Sequence, residues 1–222
     1  MKLQTRTLQI LKNFATINPS MMFREGSTQS TVAPQKTVMA RAIINEYVGK
    51  QFAVFDLSRF LGVLSLFDEP EIEFEDNKLV ITQNKQKVEY TYADPDLVVA
   101  APDKTPSVPN PEVTFRLTAD VLKSTMSALG ALQSTHILVE GDGENVTIGV
   151  GKPADPTSDT FRVDVGVSNH SFKFAFKAEN MKLLPGDYDV ELSSRSIAHL
   201  KCSDVEYWVM ADTNCTQFNH NA

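Results

Sequence analysis

A proline-rich stretch in the middle of the chain constrains the fold more than any other feature. Residues 94–111 contain five of the eleven prolines. Because proline has no backbone N–H and a fixed φ, such a stretch joins neither a central strand nor the interior of a helix. We therefore predict an extended connector between two domains of similar length, residues 1–108 and 109–222.

The composition is that of a globular protein without a membrane segment. Apolar residues make up 42% of the chain and charged residues 22%, and no apolar run reaches the ~20 residues of a membrane-spanning helix. The N-terminal residues lead into an amphipathic stretch rather than a signal peptide. Cys202 and Cys215 lack metal-ligand spacing, so we predict two free thiols, with a disulfide between them as the alternative. We expect a cytoplasmic protein.

Hydrophobic periodicity predicts four helices, two in each half, with strands between them. The second and third helices follow the N-cap residues Asp56 and Thr118, and the fourth ends before Pro185. This pattern indicates an α+β fold. The predicted helices cover residues 5–17, 57–66, 119–132 and 178–184. We expect Leu57, Phe60, Leu61 and Leu64 to face inward on the second helix, and Leu122, Met126 and Leu129 on the third. The predicted strands cover residues 38–44, 51–55, 71–75, 78–82, 87–92, 136–140, 145–150, 161–167, 171–176, 188–193, 197–201 and 205–211.

A short pattern recurs where predicted strands lead into predicted helices. Residues 115–123 and 174–182 both run from an apolar strand end through Ala, an acid and an apolar anchor to Lys, and residues 52–61 resemble them more loosely. Internal duplication would give four strand–helix–strands units. The alternative is that any strand-to-helix junction has this pattern.

The charges are distributed unevenly. Of the 21 Lys and Arg and 28 Asp and Glu residues, the predicted helices and caps carry six bases and three acids, which leaves 15 and 25 elsewhere. The three acids lie at a cap or in a first turn, where the helix dipole favours them. Ordinary solvated helix faces explain six bases equally well; the functional alternative is a surface for DNA phosphates, bound without sequence reading. The bases are Arg6, Lys12, Arg59, Lys123, Lys177 and Lys182.

No catalytic or nucleotide-binding motif is present in the sequence. The four histidines share no metal-ligand spacing: His136 and His199 fall in predicted strands, His170 in a turn and His220 in a polar tail. We therefore predict a protein that is not an enzyme and has no metal site and no cofactor.

Four groups of residues, in order along the chain, resemble the sliding clamp of T4-type phages. LKNFATIN at 11–18 and FDLSRFLGVLSL at 55–66 resemble its first two helices. ADP at 93–95, VVA at 98–100 and PDK at 102–104 resemble its interdomain connector, and NMK at 180–182 with PGDY at 185–188 its last helix and turn. The polar residues 20–36 and 213–222 depart from the family pattern.

The resemblance implies a closed homotrimeric ring with the DNA clamp fold. Each subunit would have two similar domains whose helices line a central hole and pack on antiparallel sheets. The implied partners are duplex DNA without sequence specificity, the viral DNA polymerase and a separate ATP-dependent clamp loader, in the cytoplasm of the infected bacterial host. A late-transcription sigma-like factor and its coactivator are further family partners. The implied DNA-facing residues are Arg6, Lys12, Arg59, Lys123 and Lys182, followed by Lys177 and Lys2.

Partners of the family dock short peptides beside the connector, which here implicates Val98, Val99 and Pro102. Trp208 is a candidate wall of the same pocket, with core packing as its alternative. Two rival functions remain open on the sequence. One is a ring- or tube-forming phage structural protein, and the other is a β-rich enzyme, which requires a cleft with titratable groups close together.

Overall fold

Residues 1–108, 110–155 and 157–219 are described by a computed structural model of the chain, which forms two units. These units are Met1–Lys104 and Thr105–Ala222. Their division falls inside the proline-rich connector, four residues before the boundary proposed from the sequence. Within the described ranges, no helix is both long and apolar enough to cross a membrane.

The first unit combines two α-helices with antiparallel strands. β1 pairs with β4, β2 pairs with β3, and β5, β6 and β7 form a three-stranded meander. The elements are α1 Thr5–Ile17, β1 Met21–Phe23, β2 Gly26–Val32, β3 Val38–Val48, β4 Phe52–Val54, α2 Leu57–Leu64, β5 Glu71–Phe74, β6 Lys78–Gln83 and β7 Gln86–Thr91.

The second unit has one α-helix and two sets of antiparallel strands. One set has the order β11-β10-β9-β12-β16, and in the other β8, β13, β14 and β15 pair in succession. The elements are β8 Val113–Leu117, α3 Ala119–Ala131, β9 His136–Asp142, β10 Asn145–Gly151, β11 Phe161–Val167, β12 Ser171–Lys177, a 3₁₀ turn Ala178–Asn180, β13 Tyr188–Ser193, β14 Ile197–Lys201, β15 Val205–Met210 and β16 Gln217–Asn219.

The two units repeat one order of elements. In each, a helix is followed by three strands, then by a strand, a helix or helical turn, and three more strands; the second unit adds β8 before this series and β16 after it. The N–H of Leu57, at the start of α2, donates to the Pro19 carbonyl after α1 at 2.7 Å. At the equivalent place the N–H of Ala178 donates to the Thr135 carbonyl after α3 at 2.9 Å.

The strand that opens the second unit also has a counterpart in the first. β8 pairs with β13, and Met1 exchanges two hydrogen bonds with Ile72 of β5, at 2.7 and 2.9 Å. Met1 therefore occupies the place of a first strand. Together with the junction pattern of the sequence, this correspondence supports an internal duplication of strand–helix–strands units.

Apolar residues at helical spacing attach α1 and α2 to the first unit. α1 buries Ile10, Leu11, Phe14 and Ile17 and packs against α2 and β3. α2 buries all four residues predicted to face inward, Leu57, Phe60, Leu61 and Leu64. Each helix therefore turns its remaining face to solvent.

A buried carboxylate from β3 fixes the start of α1. The N-cap residue, Gln4, makes no side-chain cap. Instead, Glu46, with 8% of its surface exposed, accepts from the N–H of Gln4 and, at 2.6 Å, from the Thr7 hydroxyl. A donor from the first turn is thereby satisfied by a residue about 40 positions away in sequence.

We expect Glu46→Ala to lower the free energy of unfolding by about 1–3 kcal/mol, because two donors of the first turn lose a buried acceptor. Denaturant unfolding measures this change. The exposed Glu73→Ala of β5 is the control and should stay within about 0.5 kcal/mol of the parent protein. Equal effects of the two substitutions would rule out the capping role of Glu46.

Several sequence predictions require correction. The fourth predicted helix, 178–184, is only the 3₁₀ turn Ala178–Asn180, because β12 runs into it and Pro185 follows closely. Three strands were not predicted: β1 and β2 in the polar region 20–36, and β16 in the polar residues after 213. α2 ends two residues early, at Leu64. Met126, predicted to face inward on α3, is 38% exposed, since α3 buries Leu122 and Thr125 instead.

Candidate nucleic-acid interface

The solvent faces of α1 and α2 carry bases without acids. Lys12 and Arg59 are exposed, and neither helix contains an Asp or Glu. Arg6 is half-buried and engaged in a further interaction. The residues within these two helices therefore contribute positive and neutral side chains only, with Asp56 at the cap of α2 as a neighbouring acid, although the chain as a whole has a net charge of -7.

The packing of α2 determines the outward direction of Arg59. Its neighbour Phe60 is 2% exposed and makes edge contacts with Phe23 and Phe52 at centroid distances of 5.9 and 6.4 Å. The cap residue Asp56 accepts from the Arg59 N–H at 2.8 Å. Because consecutive helical residues point in different directions, an inward Phe60 directs Arg59 to solvent.

Arg59 lines a surface cleft whose acid Glu89 is already paired with lysines. The cleft also includes Asp56 and Tyr90. Lys78 and Lys87 each contact Glu89 at 2.6 Å, and their hydrogen bonds, that from Lys78 first, lower the pKa of Glu89 to about 2. Partial burial raises the pKa of Tyr90, against the influence of Arg59. Glu89 therefore stays ionised and paired with lysines rather than with Arg59.

α3 presents one exposed base in the second unit. Lys123 is exposed, and Asp120, in the first turn, is the one acid of the helix. Two side chains satisfy the N-terminal N–H groups: the Thr118 hydroxyl accepts from Val121 at 3.4 Å, and Asp187 accepts from Ala119 at 2.7 Å. Asp187 thus has a capping role, and Asp120 lies in the first turn, where the helix dipole favours an acid.

The remaining predicted bases lie off the α-helices. Lys2 precedes α1, and its Nζ is 3.7 Å from a carboxylate oxygen of the exposed Glu69. Because this acid lies close by, Lys2 attracts an anion less strongly than an isolated lysine does. Lys177 ends β12 and is exposed. Lys182 follows the 3₁₀ turn, where it is half-buried and engaged in a further interaction. The structure therefore groups Lys12 and Arg59 on the helices of one unit and places Lys123 on the helix of the other.

The connector is tied to the α1–β1 turn of the first unit. The amide of Asn18, which is 1% exposed, donates to the carbonyls of Val32 and Val99 at 2.9 and 3.0 Å. The Ser20 hydroxyl accepts from Val99 at 3.3 Å. Arg24 donates to the Ala101 carbonyl at 2.7 Å. The path of the backbone near Val99 is therefore fixed while its side chain stays accessible.

The predicted docking residues differ in exposure. Val99 is 39% exposed, Pro102 is exposed and Val98 is half-buried. Trp208 is 3% exposed and its ring stacks on His199 at a centroid distance of 4.7 Å. It therefore packs in the core, which was the alternative to a place in the docking pocket. The sequence prediction omitted Leu97, which is 64% exposed. Its exposure could have been expected, because Leu97 is an apolar residue in a short polar turn that begins with proline.

The histidines and cysteines have defined surroundings. His199 lies between Glu191 and Glu206, with both nitrogens 3.0 Å from a carboxylate, and His170 contacts the Phe218 ring. His220 lies outside the described residues. Cys202 and Cys215 are free thiols. His136 lies at the start of β9 beside Asp212 and Cys215, a grouping that the sequence did not predict.

Comparisons with known proteins agree in sequence and in structure. Residues 2–100 match the family model described as DNA polymerase processivity factor. The sliding clamp of Vibrio phage KVP40 is 30% identical over 219 residues, which cover 96% of this chain and 99% of that protein. The sliding clamp of Enterobacteria phage T4 is 32% identical over 199 residues, covering 86% and 87%. The crystal structure of PCNA from Thermococcus kodakaraensis has the same fold, with a TM-score of 0.70 and 15% identity over 96% of this chain and 99% of that chain.

Proposed function

The chain belongs to the sliding clamps of T4-like phages, the DNA polymerase processivity factors, and from this membership we propose that three copies close into a non-enzymatic ring around duplex DNA. The ring holds the replicative polymerase on its template. It acts in the infected host cell. The observation that supports this mechanism best is that α1 and α2 expose Lys12 and Arg59 and contain no Asp or Glu, on a chain of net charge -7.

Retention on DNA in this mechanism is topological. Lys12, Arg59 and Lys123 contact phosphates through charge alone, so the attraction is the same at every base pair and does not stop the protein from sliding. The acids elsewhere on the chain repel DNA from other surfaces. A closed ring can leave the duplex only at an end or by opening, and weak contacts are therefore compatible with long residence.

Two strand edges are suited to close the ring. β7 is an edge of the meander in the first unit, and β11 is an edge of the strand set in the second. Because a cyclic ring needs two different surfaces on each subunit, one from each unit meets the requirement. Pairing of β7 with β11 of the next subunit would also cover backbone groups that otherwise invite aggregation.

The solution mass tests the ring directly. Three chains of 24.6 kDa give about 74 kDa, and light scattering across a concentration series should find this species. A strict monomer at every concentration would contradict the ring and with it the topological mechanism.

We also propose that the polymerase and other partners dock an apolar peptide on the connector at Val98, Val99 and Pro102, with Leu97 extending the surface. Opening of the ring is assigned to a separate ATP-dependent clamp loader, in line with the lack of a nucleotide-binding motif in the sequence. Binding of a late-transcription sigma-like factor and coactivator stays a prediction.

Val99→Asp should weaken polymerase binding at least about tenfold, because an ionised carboxylate would be buried in an apolar contact. The backbone of Val99 is held by Asn18 and Ser20, so the connector should keep its path. Titration of the polymerase against each variant measures the change. Ile43→Asp on β3, at a residue 61% exposed, is the matched control; equal affinities of both variants would remove the connector from the docking site.

A further inference from the structure

We propose that His136, Asp212 and Cys215 bind a divalent transition-metal ion, a property separate from the clamp function. One ligand atom from each residue lies within 4.8 Å of the other two. His136 Nε2 and Asp212 Oδ2 are 3.4 Å apart. In a tetrahedral zinc site, with Zn–N of ~2.0–2.1 Å and Zn–S of ~2.3 Å, ligand atoms lie about 3.2–3.6 Å apart. The histidine and the carboxylate thus already have the separation of two zinc ligands, and the Cys215 sulfur lies within 4.8 Å of both.

The strand pairing explains how distant residues meet. His136 begins β9, which pairs with β12. The N–H of Asp212, just after β15, donates to the Ala175 carbonyl of β12 at 2.7 Å, and the N–H of Cys215 donates to the Asp212 carbonyl at 3.0 Å. The backbone therefore holds the turn that carries two ligands against the strand that neighbours the third.

The outer hydrogen bonds orient two ligands toward a common point. His136 Nδ1 lies 2.8 Å from the Thr135 hydroxyl; in the tautomer that donates from Nδ1 to this hydroxyl, the Nε2 lone pair is left for an ion beside Asp212. Such a second contact on a ligating histidine is typical of zinc sites. Asp212 Oδ1 accepts from the Asn214 N–H at 3.1 Å, which leaves Oδ2 for the ion.

His136 and Asp212 are shielded from solvent. The side chains of His136 and Asp212 are only 14% and 12% exposed. The site is therefore an anionic, largely enclosed pair beside a thiol, which a soft divalent cation would neutralise.

The geometry distinguishes this group from a catalytic Cys–His–Asp relay. In a relay, the acid and the nucleophile contact opposite nitrogens of the imidazole. Here Nδ1 faces Thr135, and Asp212 lies at Nε2. Nitrogen, oxygen and sulfur ligand atoms within 4.8 Å of one another suit Zn²⁺ or Co²⁺ rather than Mg²⁺ or Ca²⁺, which require oxygen ligands.

A bound ion would fasten the segment after β15 to β9. Residues 212–215 lead into β16, which pairs with β12 over only three residues. Lys177, whose charge acts on Asp212, opposes a cation at this place. We therefore expect Lys177→Gln to increase the affinity for the ion, by roughly three- to tenfold for one nearby like charge.

Cobalt binding to the metal-stripped, reduced full-length protein tests the proposal. We expect one Co²⁺ per chain, a thiolate-to-cobalt charge-transfer band, and competition by Zn²⁺. Cys215→Ser should abolish the band, and Asp212→Asn or His136→Gln should lower the affinity at least about 100-fold; Thr135→Val, which removes only an outer contact, should lower it about tenfold. Circular dichroism confirms that each variant is folded.

Cys202→Ser is the matched control, because Cys202 is also a half-buried free thiol but lies outside the cluster. It should bind Co²⁺ as the parent protein does. Absence of the band from the folded parent protein, or a band that survives Cys215→Ser and disappears with Cys202→Ser, would overturn the proposal.

Discussion

Reversing Lys12, Arg59 and Lys123 to Glu together is expected to abolish clamp-dependent processive synthesis at physiological salt, with the fold and the ring retained. All three side chains are exposed on α-helices. In a ring of three, nine positive charges that face DNA would become negative. Since neutralising 6–10 phosphates changes affinity by about 10³–10⁵ between low and moderate salt, we expect clamp residence on DNA to fall at least about 100-fold.

The control for this triple variant has the same change in net charge at other places. Lys85, Lys152 and Lys201 are exposed bases outside the helices, and their reversal to Glu should leave processivity nearly unchanged. Primer extension on a long template, with polymerase limiting, measures both variants, and light scattering checks their assembly. If the two triple variants behaved alike, the helices would not line the DNA channel.

The second large effect is expected at the free edge of β11. Val165 and Val167 lie two residues apart on this strand, and Val167 is 77% exposed. Changing both to Lys places two charges where we propose that β7 of the next subunit pairs, and charged edges oppose strand pairing. We expect the species of about 74 kDa to dissociate into chains of 24.6 kDa, with a dissociation constant raised at least about 100-fold, or ~3 kcal/mol.

A double substitution on another strand controls for added charge. Ile43 and Tyr47 of β3 are 61% and 62% exposed, and their change to Lys should leave the ring intact. Dissociation by the β3 variant but not by the β11 variant would show that the ring closes elsewhere. Unfolding of the β11 variant, detected by circular dichroism, would be distinguished from dissociation of folded chains by the same measurement.

Local sequence signals predicted the elements whose stability is local. α1 begins and ends as expected, at Thr5 and Ile17, because thirteen residues of amphipathic pattern are closed by Asn18-Pro19. β11, β13 and β14 also have their predicted bounds, since alternating or apolar runs lie between clear turns. The α+β clamp fold itself followed from the family resemblance, and the structural neighbours confirm it.

Elements stabilised by distant partners were not predictable in this way. β2 has a polar sequence, yet Gln29 within it is fully buried. The side-chain amide of Gln29 accepts from the N–H of Arg24 and donates to the carbonyl of Arg24. β1 exists through pairing with β4, about 30 residues away. A polar strand whose side chains hydrogen bond inside the protein has no hydrophobic period for the sequence to display.

The same limit applies to the sites. The capping of α1 by Glu46 and the grouping of His136 with Asp212 each join residues far apart in sequence. No spacing rule connects such pairs, because sheet register alone brings them together. The bases on the helices were predictable since amphipathic periodicity fixes which residues face solvent, whereas Lys182 was assigned to a helix that the structure does not have.

Retention on circular and linear DNA tests the central claim most directly. The clamp is loaded by its loader onto a nicked circular duplex, the loader is removed, and residence is measured before and after one restriction cut. A topological ring should stay on the circle at a salt concentration that screens phosphate contacts, leave rapidly once the DNA is linear, and stay again when both ends are blocked. Equal residence on circular, linear and end-blocked DNA would contradict the account, because it would mean that surface attraction alone holds the protein on DNA.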